Sequence, residues 1–336
     1  MPITTRWHKI DGMDALDIEG AGIGWTLLPS LGAKVISLRS ELLGQELLWR
    51  TPGRCFRRQS LDADFESADL SGWDECFPSI GPGLYPEYPW RGALLADHGE
   101  LWTAAWECQV SPEQVSLVTH GVRFPYRFEK MLEPAGLGIW RLRYILTNLT
   151  DHALRYVWAS HPLFAARPGM RILLPDPGRL SVAFSEQGDL GPFLMEHAWP
   201  HTTSARGEPI DLSTVPAAPR ADKLFTSRGV VDWCALHDPA TGMYVGFAFD
   251  PALVTHMGIW RNSGAWPPTG PAFHVALEPG RGKPDWLETA VLSGDACILS
   301  PRERQEWTVL LCVGRSHTFA GLTREGTIIE RDEPRS

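Results

Sequence analysis

Several protein classes are disfavoured by what the 336-residue sequence lacks. No run of about 18 apolar residues is present, so a membrane-spanning helix is not expected. Acidic residues outnumber basic ones by 40 to 31, the net charge is -9, and no basic run exceeds Arg57-Arg58. A basic surface is needed to bind a phosphate backbone, so nucleic acid is not an expected partner either. The first twenty residues lack the apolar segment of a secretory signal, and we therefore expect a cytoplasmic location.

Cysteine and the common catalytic motifs are also scarce. The six cysteines are widely spaced, without a CxxC pair or Cys and His at zinc-ligand spacing, so we expect free thiols and no metal site. Neither a phosphate-binding GxxxxGK[ST], a GxGxxG after a strand, an HExxH nor a GxSxG occurs. We therefore expect no cofactor, and acid-base chemistry by His and Glu is the type that remains.

Helical periodicity is not sustained over eleven or more residues anywhere, whereas short alternating runs are frequent. The 32 glycines and 28 prolines suit many short strands joined by turns. The predicted strands are 15–19, 23–29, 33–40, 101–110, 114–122, 126–134, 138–148, 153–162, 230–238, 243–250, 254–261, 273–278 and 306–314. Residues 51–99 and 196–222 are predicted to be loops, and 285–291 a short helix. We predict an all-β protein, a large antiparallel β-sandwich forming one domain over 1–336.

Glu278 is the first candidate for chemistry. Alternation over 273–278 places Glu278 on the face opposite Val275 and Leu277. Because a Pro-Gly pair follows, we expect the strand to end there and to present the carboxylate at a rigid strand end. The simpler interpretation is a solvated residue with no catalytic role.

Two histidines occur in similar settings. His98 in DHGELW follows Asp97, which is placed to orient the imidazole, and precedes Gly99, which lets the backbone approach a neighbour closely. His161 in WASHPLF is expected to end a strand, because Pro162 stops ladder pairing. A lone histidine is more often structural than catalytic.

Carboxylates and tryptophans supply candidates for substrate binding. Asp74 and Glu75 are adjacent in SGWDECFPSIGPG, and neighbours on an extended segment point in opposite directions, which makes them a weak catalytic pair. The chain has 15 tryptophans, among them Trp260 and Trp266 in GIWRNSGAW. An indole face suits the C–H face of a sugar ring, although core packing explains most tryptophans. We predict Trp260, Asp74 and Glu75 as substrate-binding residues.

Taken in order, these segments resemble the aldose 1-epimerase (galactose mutarotase-like) family. The similarity covers about residues 20 to 315, and its specificity lies in the collinear order of short motifs. Those motifs are LLPSLGAKVISLRS, ELLWR, GWDECFPSI, DHGELW, YILTNLTDHALRYVWASHPLF, GIWRNSGAW, HVALEPGRGKPDW and LSPRERQEWTVLLCVG.

The resemblance implies a β-supersandwich with a sugar cleft on one face. It implies that Glu278 is the general base, that His161 is the general acid and that His98 contacts the sugar near the reacting centre. A histidine near a carboxylate is expected to be pushed toward its protonated form. The family's hydroxyl-binding aspartate has weak matches in Asp222 and Asp232.

The sequence therefore predicts an aldose 1-epimerase that interconverts the anomers of a hexose-type sugar, as a monomer or homodimer. Two alternatives remain open. One is a carbohydrate-binding protein without catalysis, and the other is a polysaccharide lyase or glycosidase on a related sandwich. The lack of an added helical domain argues against the second.

Overall fold

A computed structural model describes residues 1–268, 270 and 272–331. Strands make up 49% of it and helices 3%, so the prediction of an all-β antiparallel fold is confirmed. The strands are β1 (Thr4–Ile10), β2 (Met13–Gly20), β3 (Ile23–Leu28), β4 (Lys34–Ser40), β5 (Gln45–Glu46), β6 (Trp73–Cys76), β7 (Gly83–Leu84), β8 (Leu94–Leu95), β9 (Glu107–Val110), β10 (Val115–His120), β11 (Tyr126–Gly136), β12 (Ile139–Asn148), β13 (Leu154–Tyr156), β14 (Trp158–Ala165), β15 (Arg171–Leu173), β16 (Arg179–Ser185), β17 (Glu196–Ala198), β18 (His201–Thr203), β19 (Pro209–Asp211), β20 (Ala221–Thr226), β21 (Trp233–His237), β22 (Met243–Phe249), β23 (His256–Ser263), β24 (Phe273–Arg281), β25 (Cys297–Leu299), β26 (Arg304–Arg315), β27 (Phe319–Leu322) and β28 (Ile328–Glu330). The helices are α1 (Phe65–Ala68) and α2 (Leu287–Ser293).

Two large sheets carry most of these strands. The first has 12 strands in the order β1-β2-β3-β4-β6-β14-β24-β23-β20-β16-β17, with β5 paired to β4. The second has eight, in the order β15-β21-β22-β26-β12-β11-β10-β9. Four two-stranded ribbons complete the described part of the fold: β13-β25, β18-β19, β27-β28 and β7-β8.

The core lies between the two large sheets and is rich in aromatic rings. Trp73 on β6 meets Phe247 on β22, with ring centroids 5.5 Å apart. Trp158 on β14 meets Tyr144 on β12 at 4.8 Å and Trp307 on β26 at 4.9 Å. Each pair joins one sheet to the other, which is the packing of a β-sandwich.

Strand β24 extends beyond its predicted end. It continues through Pro279 and Gly280 to Arg281, and all nine of its residues except the first are buried. The expectation that Glu278 is the last residue of its strand is therefore wrong. Central strands tolerate a proline where the ladder is already interrupted, and such an interruption is present here.

His161 likewise lies inside a strand rather than at its end. The predicted strand 153–162 is two strands, β13 and β14, and β14 continues past Pro162 to Ala165. The pairing of β14 with β24 stops after Ala159/Gly280 and resumes at Leu163/Ala276. Proline has no N–H to donate, and both prolines, Pro162 and Pro279, fall within this interruption.

The segments predicted as loops contain more structure than expected. Residues 51–99 include α1 and strands β6, β7 and β8, while residues 196–222 include β17, β18, β19 and the start of β20. The predicted strand 101–110 is formed only from Glu107 onward, and the helix expected at 285–291 is present as α2. No helix in the described residues is long and apolar enough to cross a membrane.

Substitution of Phe128 tests the assignment of inward-facing and outward-facing residues along β11. Phe128 is fully buried on β11 and its ring packs near those of Phe77, Trp106 and Trp307. We expect Phe128→Ala to lower the free energy of unfolding by about 3–5 kcal/mol, because it removes apolar contacts and leaves a cavity. Glu129→Ala, at the next position on the outer face, should cost less than about 1 kcal/mol. Urea titration measures both, and equal costs would contradict the assigned strand faces.

Candidate active site

Polar side chains form a row across the outer face of the larger sheet. Asp74 on β6 is directly opposite His161 on β14, and Lys34 on β4 is beside Asp74 because its neighbour Val35 pairs with Trp73. Glu278 on β24 lies on the other side of His161. Side chains at such positions are about 4.5–5.5 Å apart at Cβ, so the row brings chemical groups together from distant parts of the chain.

Glu278 is buried, with 1% of its surface exposed, and is held by a lysine. Lys223 on β20 donates to its Oε2 at 2.5 Å and lies 3.3 Å from Oδ1 of Asp285. The other oxygen, Oε1, is 3.5 Å from Nε2 of His161 and has no hydrogen-bond partner. Burial raises the pKa of Glu278, although the charge of Lys223 acts in the opposite direction. Gly258 faces this carboxylate on β23, and a Cβ there would lie 3.0 Å from Oε2.

His161 is 6% exposed, and its Nδ1 also lacks a hydrogen-bond partner. Burial lowers its pKa well below 6.5, and the charges of His98, Lys223 and Lys34 act in the same direction. The expectation that a neighbouring carboxylate pushes this histidine toward its protonated form is therefore wrong. Desolvation and nearby positive charge outweigh the attraction of Glu278.

His98 has the surroundings that the sequence suggested. Its Nδ1 is 2.9 Å from Oδ1 of Asp97, so the prediction that Asp97 orients the ring is confirmed. Its other contacts are aromatic, with Phe65 stacked at 4.0 Å between centroids and His161 edge-on at 5.1 Å. Gly99 lies against the backbone of Phe77, where a Cβ would be 2.1 Å from the carbonyl oxygen. This is the close approach that glycine was expected to permit.

A cavity of about 320 Å³ opens above these groups. Its walls are aromatic and acidic. Two of the three catalytic candidates, His98 and His161, line it, whereas Glu278 lies behind Lys223 and His161. The lining residues are Asp64, Phe65, Glu66, Leu70, Ile80, Gly81, Pro82, Asp97, His98, His161, Leu163, Phe184, Lys223, Trp260, Trp266, His274, Asp285 and Trp286. Small-molecule sites of this kind combine a mostly apolar wall with a few polar groups.

Trp260 lines this cavity, as predicted, but its indole N–H is already used. It donates to Nε2 of His274 at 2.9 Å. His274 is fully buried and its pKa is lowered by burial to about 3. The neutral imidazole therefore serves as the acceptor, and the N–H of Trp260 is not free to donate to a ligand in the cavity.

The two adjacent carboxylates have separate surroundings, and neither lines the cavity. Glu75 points into the core, where Lys130, Tyr144 and Trp158 donate to it at 2.7, 3.0 and 3.0 Å. The prediction that Glu75 contacts substrate is wrong, because strand alternation puts it on the face opposite Asp74.

Asp74 lies on the cavity side of the sheet but is only 2% exposed. It pairs with the fully buried Lys34, which also lies 2.8 Å from Asp69. Burial raises the pKa of Asp74 to about 6. Asp74 does not line the cavity and its Oδ2 is taken by Lys34, so the predicted contact with substrate stays a prediction.

The two weak matches to a hydroxyl-binding aspartate lie elsewhere. Asp222 is fully buried and accepts from Arg261 at 2.8 Å on the face of β20 opposite Lys223. Asp232 pairs with Arg324 at 3.3 Å, near the partly exposed ribbon β27-β28. Neither residue lines the cavity, so both matches are wrong.

The sequence reasoning missed several residues of the site, among them Lys223, Asp285 and Phe65. Lys223 precedes the apolar pair Leu224-Phe225 in the short strand-like run ADKLFT, a signal that could have indicated a buried partner for a carboxylate. Phe65 gave no comparable signal, because its contact with His98 depends on the fold of a long irregular segment. Among the described residues, no group of three or more His, Cys, Asp or Glu side chains is placed to hold a metal ion.

Comparison of the whole structure with solved structures finds 74 matching chains. A Klebsiella pneumoniae protein provisionally named an aldose 1-epimerase superimposes with a TM-score of 0.70 at 13% identity, over 94% of this chain and 84% of that one. A galactose mutarotase-like protein from Clostridium acetobutylicum gives 0.63 at 12% identity, over 94% and 99%. This chain has the galactose mutarotase-like fold.

An Escherichia coli K12 protein, also named provisionally as an aldose 1-epimerase, matches with a TM-score of 0.64 at 16% identity, over 94% of this chain and all of that one. The sequence itself matches no protein-family model and no curated protein. In this galactose mutarotase-like fold, the cavity and the polar row lie on the outer face of the larger sheet.

The lowered pKa values of buried His274 and His161 predict that the free energy of unfolding decreases at acid pH. In the unfolded chain a histidine has a pKa near 6.5, whereas that of folded His274 is about 3. The unfolded state therefore binds a proton that the folded state does not, and stability falls as the pH is lowered from about 6.5 toward 3, by ~1 kcal/mol per pH unit. His161 contributes in the same direction.

We expect His274→Gln to make this pH dependence shallower, because an amide oxygen accepts from Trp260 without titrating. His120→Gln, at an exposed position, is the matched control and should leave the dependence unchanged. Urea unfolding between pH 7 and 4 measures it. Equal slopes for wild type and His274→Gln would show that His274 is not the titrating group.

Proposed function

We propose that the protein is an aldose 1-epimerase, which interconverts the α and β anomers of a free sugar by acid-base catalysis. The observation that carries the proposal is the 3.5 Å approach of Nε2 of His161, which lines an aromatic cavity, to Oε1 of Glu278, which lies beneath that cavity. His98, fixed by Asp97, faces the same cavity. The provisional names of two structural neighbours agree with this chemistry.

The reactive form in this proposal has Glu278 as a carboxylate and His161 protonated on both ring nitrogens. Glu278 removes the proton of the C1 hydroxyl while Nε2 of His161 gives its proton to the ring oxygen. The C1–O5 bond then breaks and the sugar opens to its aldehyde. Rotation about C1–C2 presents the other face of the carbonyl, and ring closure returns both protons to their donors. No net proton or electron is exchanged.

Burial shifts the pKa values of the two groups in opposite directions, raising that of Glu278 and lowering that of His161. A carboxylate with a raised pKa is a stronger base and an imidazolium with a lowered pKa is a stronger acid, which suits the roles proposed for them. Lys223 keeps a positive charge beside Glu278 and limits how far its pKa is raised.

The alternative of a carbohydrate-binding protein without catalysis is favoured by one observation. The carboxylate of Glu278 is 1% exposed and already engaged by Lys223, so a sugar reaches it only if the side chains shift. A binding protein would show saturable binding of a monosaccharide by calorimetry with no acceleration of anomer exchange.

Two substitutions test the proposed roles. Glu278→Gln and His161→Gln each remove a proton-transfer group while keeping its approximate shape, and each should lower kcat by about 10²- to 10⁴-fold. Polarimetry on freshly dissolved α-anomers of glucose, galactose and xylose measures the rate.

His152→Gln, on an exposed turn outside the cavity, is the matched control and should retain the wild-type rate. Thermal unfolding of each variant checks that the fold is intact. A folded Glu278→Gln protein with the wild-type rate would remove Glu278 from the mechanism.

A further inference from the structure

Lys34, Asp69 and Asp74 form a buried charged cluster, called here the Lys34 cluster, that the proposed chemistry does not use directly. Lys34 is fully buried, and its ammonium contacts Asp69 at 2.8 Å and also Asp74. Both carboxylates are themselves at most 4% exposed. Burying charged groups costs free energy that their mutual attraction only partly returns, so such a cluster needs an explanation beyond stability.

Three buried polar atoms in and beside this cluster have no partner among the described residues: Oδ1 of Asp69, Oδ1 of Asp74 and Nδ1 of His161. Asp74 and His161 are the two that face each other. They are directly opposite each other in the β6–β14 ladder, with side chains on the same face of the sheet. A buried polar group left unpaired costs roughly 1–3 kcal/mol, and native proteins keep such groups chiefly where function requires them.

We propose that Asp74 is the positioning residue for His161: a rotation of the two side chains lets Asp74 Oδ1 accept the Nδ1–H of His161, with Lys34 holding the other oxygen of Asp74. This arrangement leaves Nε2 of His161 facing Glu278 and the cavity. It also supplies the negative charge that His161 needs in order to carry a proton during the reaction. The inference rests on the proposed epimerase function for its catalytic consequence, but not for the hydrogen bond itself.

Titratable groups surround His161 from several of the elements packed against it. They are Lys34 on β4, Asp74 on β6, His98 from the segment after β8, Lys223 on β20, and His274 and Glu278 on β24. Four of these six are cations or imidazoles. Asp74 is the carboxylate on the side of His161 away from Glu278, so it is placed to fix which ring nitrogen carries the hydrogen.

Asp69 provides a matched control for substitution of Asp74. Asp69 and Asp74 both contact Lys34, but only Asp74 is opposite His161. In Asp74→Asn the amide oxygen is required by Lys34, so the amide NH₂ faces His161 and favours the opposite tautomer. We expect kcat to fall about 10²- to 10⁴-fold with a displaced pH profile, as for a mispositioned catalytic histidine. Asp69→Asn should destabilise the fold similarly while kcat and its pH profile stay close to wild type.

Nitrogen-15 NMR of histidine-labelled wild-type protein gives a readout that needs no activity and no known sugar. His161, assigned through the loss of its signals in His161→Gln, should carry its hydrogen on Nδ1 at neutral pH, and Asp74→Asn should move it to Nε2. An Nε2–H tautomer in the wild type, or equal effects of Asp69→Asn and Asp74→Asn on kcat, would overturn the inference. An Nδ1–H tautomer in a protein that accelerates no anomer exchange would leave the positioning role standing and contradict the proposed function.

Discussion

Lys223 reaches from β20 past Gly258 to the buried carboxylate of Glu278, and the geometry of the site depends on this ion pair. A carboxylate that is 1% exposed would otherwise be driven strongly toward its neutral form. The absence of a side chain at Gly258 leaves the space in which the two groups meet. The same lysine also lies beside Asp285, so it ties the sheet to the segment that leads into α2. Removing one partner of a buried ion pair is strongly destabilising, because it leaves the other charge buried without compensation.

Burial, rather than the nearest opposite charge, sets the protonation of this site. His161 has Glu278 at 3.5 Å, yet its pKa is lowered, because desolvation and several positive neighbours act together. Glu278 has Lys223 at 2.5 Å, yet its pKa is raised. A sequence gives the identity of neighbours along the chain but not the depth at which they lie. That is why the direction of the pKa shift of His161 was predicted wrongly.

The parts of the fold and site that depend on local pattern were predictable. Alternation over 273–278 correctly placed Glu278 on the face opposite Val275 and Leu277, which belong to the main core. Alternation also implied that Asp74 and Glu75 point in opposite directions, but not which of them enters the core. That choice depends on Lys130, Tyr144 and Trp158, which lie far along the chain. The partnership of Lys223 with Glu278 and the continuation of β14 past Pro162 likewise depend on strand neighbours that no local pattern specifies.

The floor and the walls of the cavity come from different kinds of structure. His161 and Lys223 in the floor, with Glu278 beneath them, stand on paired strands of the large sheet, whereas Phe65 and Glu66 belong to the short helix α1 and His98 to the turn after β8. Backbone pairing fixes the first set, and the second set is fixed by a few caps and stacked rings such as the Asp97 contact with the Phe65 amide. Substitutions in α1 or in the turn after β8 should therefore change the shape of the cavity wall while the polar groups on the sheet beneath keep their register.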